Sequence, residues 1–314
     1  MTITVAKQGG DHRDIQSAVN AAANGDEILI LNGVYEGRVC VNKDGLRLRG
    51  ESAQGVVITA SHCAKDKDEN GKDKGTFLSF TFIVTGNDVT VENLTIRNDA
   101  GDGSVVGQAV AVYAAGDRDV WKNVRMIAHQ DTLFCGPTMP KVAKEVLPVI
   151  LPDGVDSVGD CPEIHMRQYF EDCFIQGDVD FIFGPYTCWF EHCTLFMNAR
   201  GGYYTAANTP EACEWGMVFH DCLLTGEGEG YLGRPWRAFA RTLFLDCCMD
   251  EHVHPQGFAD WDEKRVVTER YGEYGTTGAR AEQSTRHPKQ KRMTAEEAAR
   301  LTRANVLNGW NPGA

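Results

Sequence analysis

The stretch CWFEHCTLF, residues 188–196, reads as a strand with one interruption: apolar Trp189 and Phe190, polar Glu191 and His192, small Cys193, then apolar residues again. Aromatic and β-branched residues favour strands, whereas a charged pair inside one does not. The same order recurs in VTVENLTI (89–96), DVWKNVRMI (119–127), QYFEDCFI (168–175), MVFHDCLL (217–224) and TLFLDCCM (242–249). Aligned on Leu94, Val124, Cys173, Cys193, Cys222 and Cys247, the copies are spaced by 30, 49, 20, 29 and 25 residues. Irregular steps of about two dozen residues, each with a strand in the same place, predict an all-β, right-handed parallel β-helix. Each coil then buries its inward residues against the coils on either side. The four aligned cysteines become an internal stack and carry no chemistry. An antiparallel sandwich is the alternative, but it should show two-residue hairpin turns that this chain mostly lacks.

The repeat runs through most of the 314 residues, so a single domain (1–314) is expected. The long step contains 135–167, which reads as an inserted loop close to one end of any cleft. DIQSAVNAAANG (14–25) has helical spacing at Ile15, Val19 and Ala22 and would cap the N-terminal end of the stack. TAEEAARLTRANVLNG (294–309) carries a capping box, Thr294 with Glu297, and predicts a helix over 294–308. Its stripe of Ala298, Leu301 and Val306 should pack on the solenoid.

The balance of 31 Lys+Arg against 44 Asp+Glu gives −13, which excludes nucleic acid and anionic membrane as expected partners and favours a neutral or weakly charged substrate. The chain opens without a basic segment followed by an apolar one, so a cytoplasmic location is expected, or a secreted one if a leader has been removed. Eleven cysteines include no C-x-x-C spacing, so neither a zinc ribbon nor a thioredoxin-type site is indicated, and most read as small buried hydrophobes in a reducing compartment. SHCAKDKDENGKDKG (61–75) begins like a calcium loop, but Phe77 stands where the bidentate glutamate belongs. No metal or cofactor is expected.

There is no G-x-S-x-G, H-E-x-x-H, P-loop or G-x-G-x-x-G, and the nine histidines form no recognisable pair. Catalysis would therefore run on carboxylates with polar and cationic support. Four stretches supply these groups: GQAVAVY (107–113), HQDTLF (129–134), DVDFIFG (178–184) and YLGRPW (231–236). Singly each has an ordinary reading. Gln108 could end a strand, Asp131 could cap a turn, and GRPW could be a turn with an arginine stacked on tryptophan.

Together and in this order, the four resemble the motifs of the pectin methylesterase (pectinesterase) family, a carbohydrate esterase class. VYEGRV (34–39), YGEYGTTG (271–278) and NVLNGWNP (305–312) extend the resemblance from Thr4 to Pro312. The resemblance implies a parallel β-helix that hydrolyses the methyl esters of galacturonate units in pectin or oligogalacturonides, and a monomer is expected. It makes Asp180 the nucleophile, Asp131 the general acid and then base, Gln108 and Gln130 the oxyanion donors, and Arg234 the partner of Asp180. Trp236, Phe183, Phe258, Trp261 and Thr76 are implied to line the sugar cleft. HPQGFADW (254–261) departs from the family, with Phe258 where a tryptophan is usual. Two carboxylates with opposite tasks need different environments. Arg234 should therefore lower the pKa of Asp180, while a dry or anionic setting raises that of Asp131. A sugar-binding β-helix without activity, and a glycan-cleaving enzyme on the same scaffold, are the competing readings.

One stretch carries a second carboxylate. In GDVDFIFGP (177–185), strand alternation puts Asp178, Asp180 and Ile182 on one face and Val179, Phe181 and Phe183 on the other. The aromatic face should turn inward and both carboxylates outward into a cleft. Alternation cannot choose between them, and the motif selects Asp180.

Overall fold

In the computed structural model, which describes residues 1–139, 142 and 166–312, each copy of the repeat lies in register on the next. The stretch Asp119–Ile127 pairs in parallel with Thr90–Asn98 on one side and with Arg167–Glu171 and Phe174–Gly177 on the other. From there Thr187–Glu191, Met217–His220, Thr242–Leu245 and Gly272–Tyr274 continue one face. Phe174–Gly177, Thr194–Met197, Leu223–Gly226 and Cys248–Met249 continue a second. A third face stacks Val39–Val41, Phe82–Val84, Val112–Ala114, Leu133–Cys135, Ile182–Gly184 and Thr205–Ala207. Every one of these pairs is parallel, which makes a parallel β-helix, right-handed as parallel crossovers are.

The interruption in each repeat is the corner between the first two faces. Asn93, Asn123, Asp172, His192, Asp221 and Asp246 all hold positive φ, between 50° and 56°. Asn and Asp tolerate this left-handed conformation better than other side chains, which explains the polar residue at one fixed place in successive coils. The next position turns inward. Cys173, Cys193, Cys222 and Cys247 are buried, and each thiol donates to a carbonyl of the preceding coil, of Trp121, Phe170, Phe190 and Phe219, at 3.4–3.7 Å. Beside them Phe170, Phe190, Phe219 and Phe244 form a stack with centroids 4.4–4.8 Å apart. Burying each such ring contributes about 1.5–3 kcal/mol, so the stack drives the coils together.

The N-terminal helix spans Ile15–Ala21, shorter than expected, with the Asp14 side chain accepting from Ser17 N and with Ile15, Ala18 and Val19 buried. The expected C-terminal helix is two, Ala295–Arg300 and Arg303–Val306. The first keeps the Thr294–Glu297 capping box, and the second starts afresh because Thr302 caps Asn305 N. Leu301 and Val306 still pack, with Ala298, against outward residues Tyr169, Trp189, Val218 and Leu243. Of the expected 135–167 insertion, only residues 135–139, 142, 166 and 167 are among those described. Among the described residues no helix is long and apolar enough to cross a membrane.

Candidate active site

The third face carries the candidate groups at its entrance. Leu133 pairs with Ile182, a 49-residue offset that sets Asp131 level with Asp180 on adjacent coils, about 4.8 Å apart in the strand-stacking direction. Both occupy left-handed corners, with φ of 66° and 53°. Asp131 N donates to Val179 O at 3.1 Å, which locks the two corners together. Arg234 arrives from two coils further on and binds Asp180 in a fork, Nε to Oδ1 at 2.8 Å and Nη2 to Oδ2 at 2.7 Å. Its guanidinium lies between the rings of Tyr203 and Trp261, each 4.1 Å from the centroid. The arginine is therefore fixed in plane as well as in charge. It stacks on Trp261, and the neighbouring Trp236 takes Arg237 instead.

These residues surround a cleft of about 400 Å³ lined by Gln108, Gln130, Asp131, Asp180, Arg234, Thr76, Phe77, Phe183, Ala206, Trp236 and Trp261. Phe183 meets Trp236 edge-on at 6.0 Å and Phe134 at 4.8 Å, giving an apolar wall beside the carboxylates. Nine of the ten expected site residues thus converge. Phe258 does not: it is fully buried, stacked on Tyr271 at 4.4 Å inside the coil stack. Trp261 supplies the aromatic surface in its place. Sequence reading missed Phe77, which lines the cleft, and Tyr203, which stacks on Arg234. Tyr203 stands one coil beyond Asp180, a neighbour only through the stacking that pairs Ile182 with Thr205.

The expected alternation through 177–185 fails at Asp180. Its left-handed corner ends one phase and the strand Ile182–Gly184 starts another, so Ile182 joins the interior and Phe183 faces the cleft. Asp178 is fully buried beside His129 and does not line the cleft.

Burial pushes the pKa of Asp131 well above the ordinary carboxylate value, and the neighbouring Asp180 charge adds to the push; Arg234 and the Gln130 amide pull the other way without prevailing. Asp180 is also raised, because burial outweighs the Arg234 fork, against the expectation of a lowered value. The asymmetry remains: Asp180 has a cation bonded to both oxygens, whereas Asp131 faces an anion. Of the two, Asp131 is the one that keeps its proton.

The pectinesterase family model matches residues 2–138 and 160–310. The chain belongs to the pectinesterase family. Pectinesterase 31 of Arabidopsis thaliana is 30% identical over 322 residues, covering 98% of this chain and 92% of that one. A solved pectin methylesterase in complex with a hexasaccharide is 28% identical, covers 99% of this chain and 98% of its own, and superposes with a TM-score of 0.80. The carrot pectin methylesterase is 27% identical over 98% of this chain and 93% of its own, with a TM-score of 0.79. As a pectinesterase the chain has the β-helix of these relatives, described above from its own coils.

Proposed function

We propose that this pectinesterase hydrolyses the methyl esters of galacturonate units in pectin or its oligomers, with Asp180 as nucleophile and Asp131 as acid and then base. Family membership makes it a carboxylic ester hydrolase acting on pectin. The observation that carries the assignment of roles is the two-pronged Arg234–Asp180 pair set one coil from a carboxyl that burial keeps protonated.

The fork leaves Asp180 anionic and oriented for attack on the ester carbonyl carbon. The carbonyl electron pair moves onto oxygen, where the Gln108 and Gln130 amides donate; one such donor supplies about 2.7–4 kcal/mol of barrier lowering. Both are neutral, and the downward pull of the Gln130 amide on Asp131 does not overcome burial. When the tetrahedral centre collapses, the C–O bond to the methoxy group breaks and Asp131 protonates it, releasing methanol. The galacturonate acyl group is then held by Asp180 as a mixed anhydride. Asp131, now a carboxylate, takes a proton from water, whose oxygen attacks the acyl carbon. Collapse frees the galacturonic acid, the Asp180 carboxylate and a reprotonated Asp131, and the product's carboxyl then loses its proton to solvent. The apolar wall of Phe183 and Trp236 suits a sugar face and a methyl ester.

Measuring methanol against new reducing ends on methylated oligogalacturonide tests the reading. Methanol alone is expected, and Asp180→Asn should abolish it with the fold intact. Reducing ends would instead support glycan cleavage, and neither product a binding role. We also propose a single-domain monomer that takes no nucleic acid, supported by the net charge of −13. Among the described residues, the free thiols of Cys173, Cys193, Cys222, Cys247 and the exposed Cys248 support a reducing, cytoplasmic setting.

A further inference from the structure

Asp178 is the carboxylate that this chemistry leaves without a task. Its side chain is fully buried, and the same 49-residue offset that aligns Asp131 with Asp180 aligns His129 with Asp178. Asp178 N donates to His129 O at 2.9 Å, and His129 Nδ1 lies 3.1 Å from Asp178 Oδ2. Val179 N donates to the other carboxylate oxygen at 2.7 Å. The nearest further cation, Arg200 Nη1, stands 3.6 Å away and is shared with Asp102 at 3.8 Å. Asn198 Nδ2, 3.5 Å from His129 Nδ1, is engaged by Ala128 O at 3.1 Å.

We propose that His129 and Asp178 are a positioning pair for the catalytic acid, tying the corner that carries Gln130 and Asp131 to the corner that carries Asp180 and acting on Asp131 through a charge that changes as His129 titrates. The inference rests on the esterase reading for its kinetic consequence. Its structural part, the ion pair itself, stands without substrate.

The bond to Asp178 holds the His129 pKa above its usual value; Asp102 adds to this, while burial and Arg200 oppose it. Below that titration the imidazolium neutralises Asp178. Above it the imidazolium's positive charge is gone, leaving the shared Arg200 beside the Asp178 carboxyl. Asp178 then joins burial and Asp180 in raising Asp131. The acid therefore grips its proton more firmly as the medium becomes alkaline, and the alkaline limb of turnover is held up.

The test uses the full chain. His129 is followed by its imidazole NMR signals through a pH titration, and kcat and KM for methanol release are measured across pH in the wild type, Asp178→Asn and His129→Gln. In the wild type His129 should titrate above 6.5. In Asp178→Asn that midpoint should fall, and the alkaline limb of kcat/KM should move down by about half a pH unit or more. KM should stay unchanged. His129→Gln keeps a donor to Asp178 without a titration, so it should retain the alkaline limb. A wild-type His129 midpoint at or below 6.5 overturns the pair, as does an Asp178→Asn enzyme whose activity falls evenly at all pH with the limb unmoved. If Asp178→Asn does not fold, the wild-type titration and His129→Gln decide the matter. Absence of methanol release from the wild type would sink the esterase reading, while the His129 titration would still judge the pair.

Discussion

Replacing Arg234 with methionine removes both hydrogen bonds to Asp180 while keeping much of the side-chain volume between Tyr203 and Trp261. The Asp180 side chain is only 8% exposed, so an ionised carboxylate left there has little water and has lost its cation. Breaking a buried pair in this way costs about 3–5 kcal/mol. The protein avoids part of that cost by protonating the carboxyl. Burial already raises Asp180 against the pull of the arginine, so removing the arginine lets it rise further. An adjacent cation holds a carboxyl down by about 1–3 pKa units. At about 1.4 kcal/mol per unit this is about 1.4–4 kcal/mol, comparable with the cost of breaking the pair. The nucleophilic form would then be depleted about 10- to 1,000-fold wherever the wild type is mostly ionised.

Initial rates of methanol release over a range of pH, with circular dichroism and thermal melting to verify the fold, read this directly. Arg234→Met should lose kcat/KM near neutrality and regain part of it as pH rises, until Asp131 loses its proton. Arg234→Lys retains the charge but loses the fork and the flat face between the rings, and should fall between the two. An Arg234→Met enzyme whose acid limb coincides with that of the wild type would refute the role of the pair in keeping Asp180 ionised.

Gln130→Ala should lower kcat about 100- to 1,000-fold with little change in KM, read from saturation curves on methylated oligomers. Phe258→Ala should cost about 3–5 kcal/mol in denaturant unfolding and leave KM for the folded enzyme alone, whereas Trp236→Ala should raise KM. Asp131→Asn should abolish turnover yet stabilise the protein. A carboxyl raised in the folded state makes stability fall as pH climbs from its unfolded value to its folded one. Each unit of that rise costs about 1.4 kcal/mol, so the variant's melting temperature should exceed the wild type's near neutral pH and vary less with pH. On sparsely methylated pectin, activity should rise with moderate salt, because the chain carries −13 and the substrate is a polyanion.

What the sequence conceals follows from where φ changes sign and from which coils touch. The polar residue before each of Cys173, Cys193, Cys222 and Cys247 is visible as a break in a strand, and the left-handed corner is the physical cause of the break. The same device at Asp180 defeats the alternation rule, since period two holds only while the chain stays extended. After Asp172 and Asp221 the residues one and three on turn inward, Cys173 and Ile175 or Cys222 and Leu224, whereas after Asp180 both Phe181 and Ile182 are interior and Phe183 lines the cleft, so even the corner rule does not place Phe183. The second helix start is also written in the chain, as Thr302 with Asn305 repeats the spacing of Thr294 with Glu297. Phe258 is a different case. Nothing local separates it from Trp261, and the difference arises because the ring of Tyr271, supplied by a later coil, covers one and not the other. Tyr203 is hidden for the same reason, its partner Arg234 being distant in sequence and adjacent only through the stack. In a solenoid, then, residues that act within one coil can be read from local pattern. Those that act between coils need the register, and the register here turns on the 49-residue step that brings His129 over Asp178 and Asp131 over Asp180.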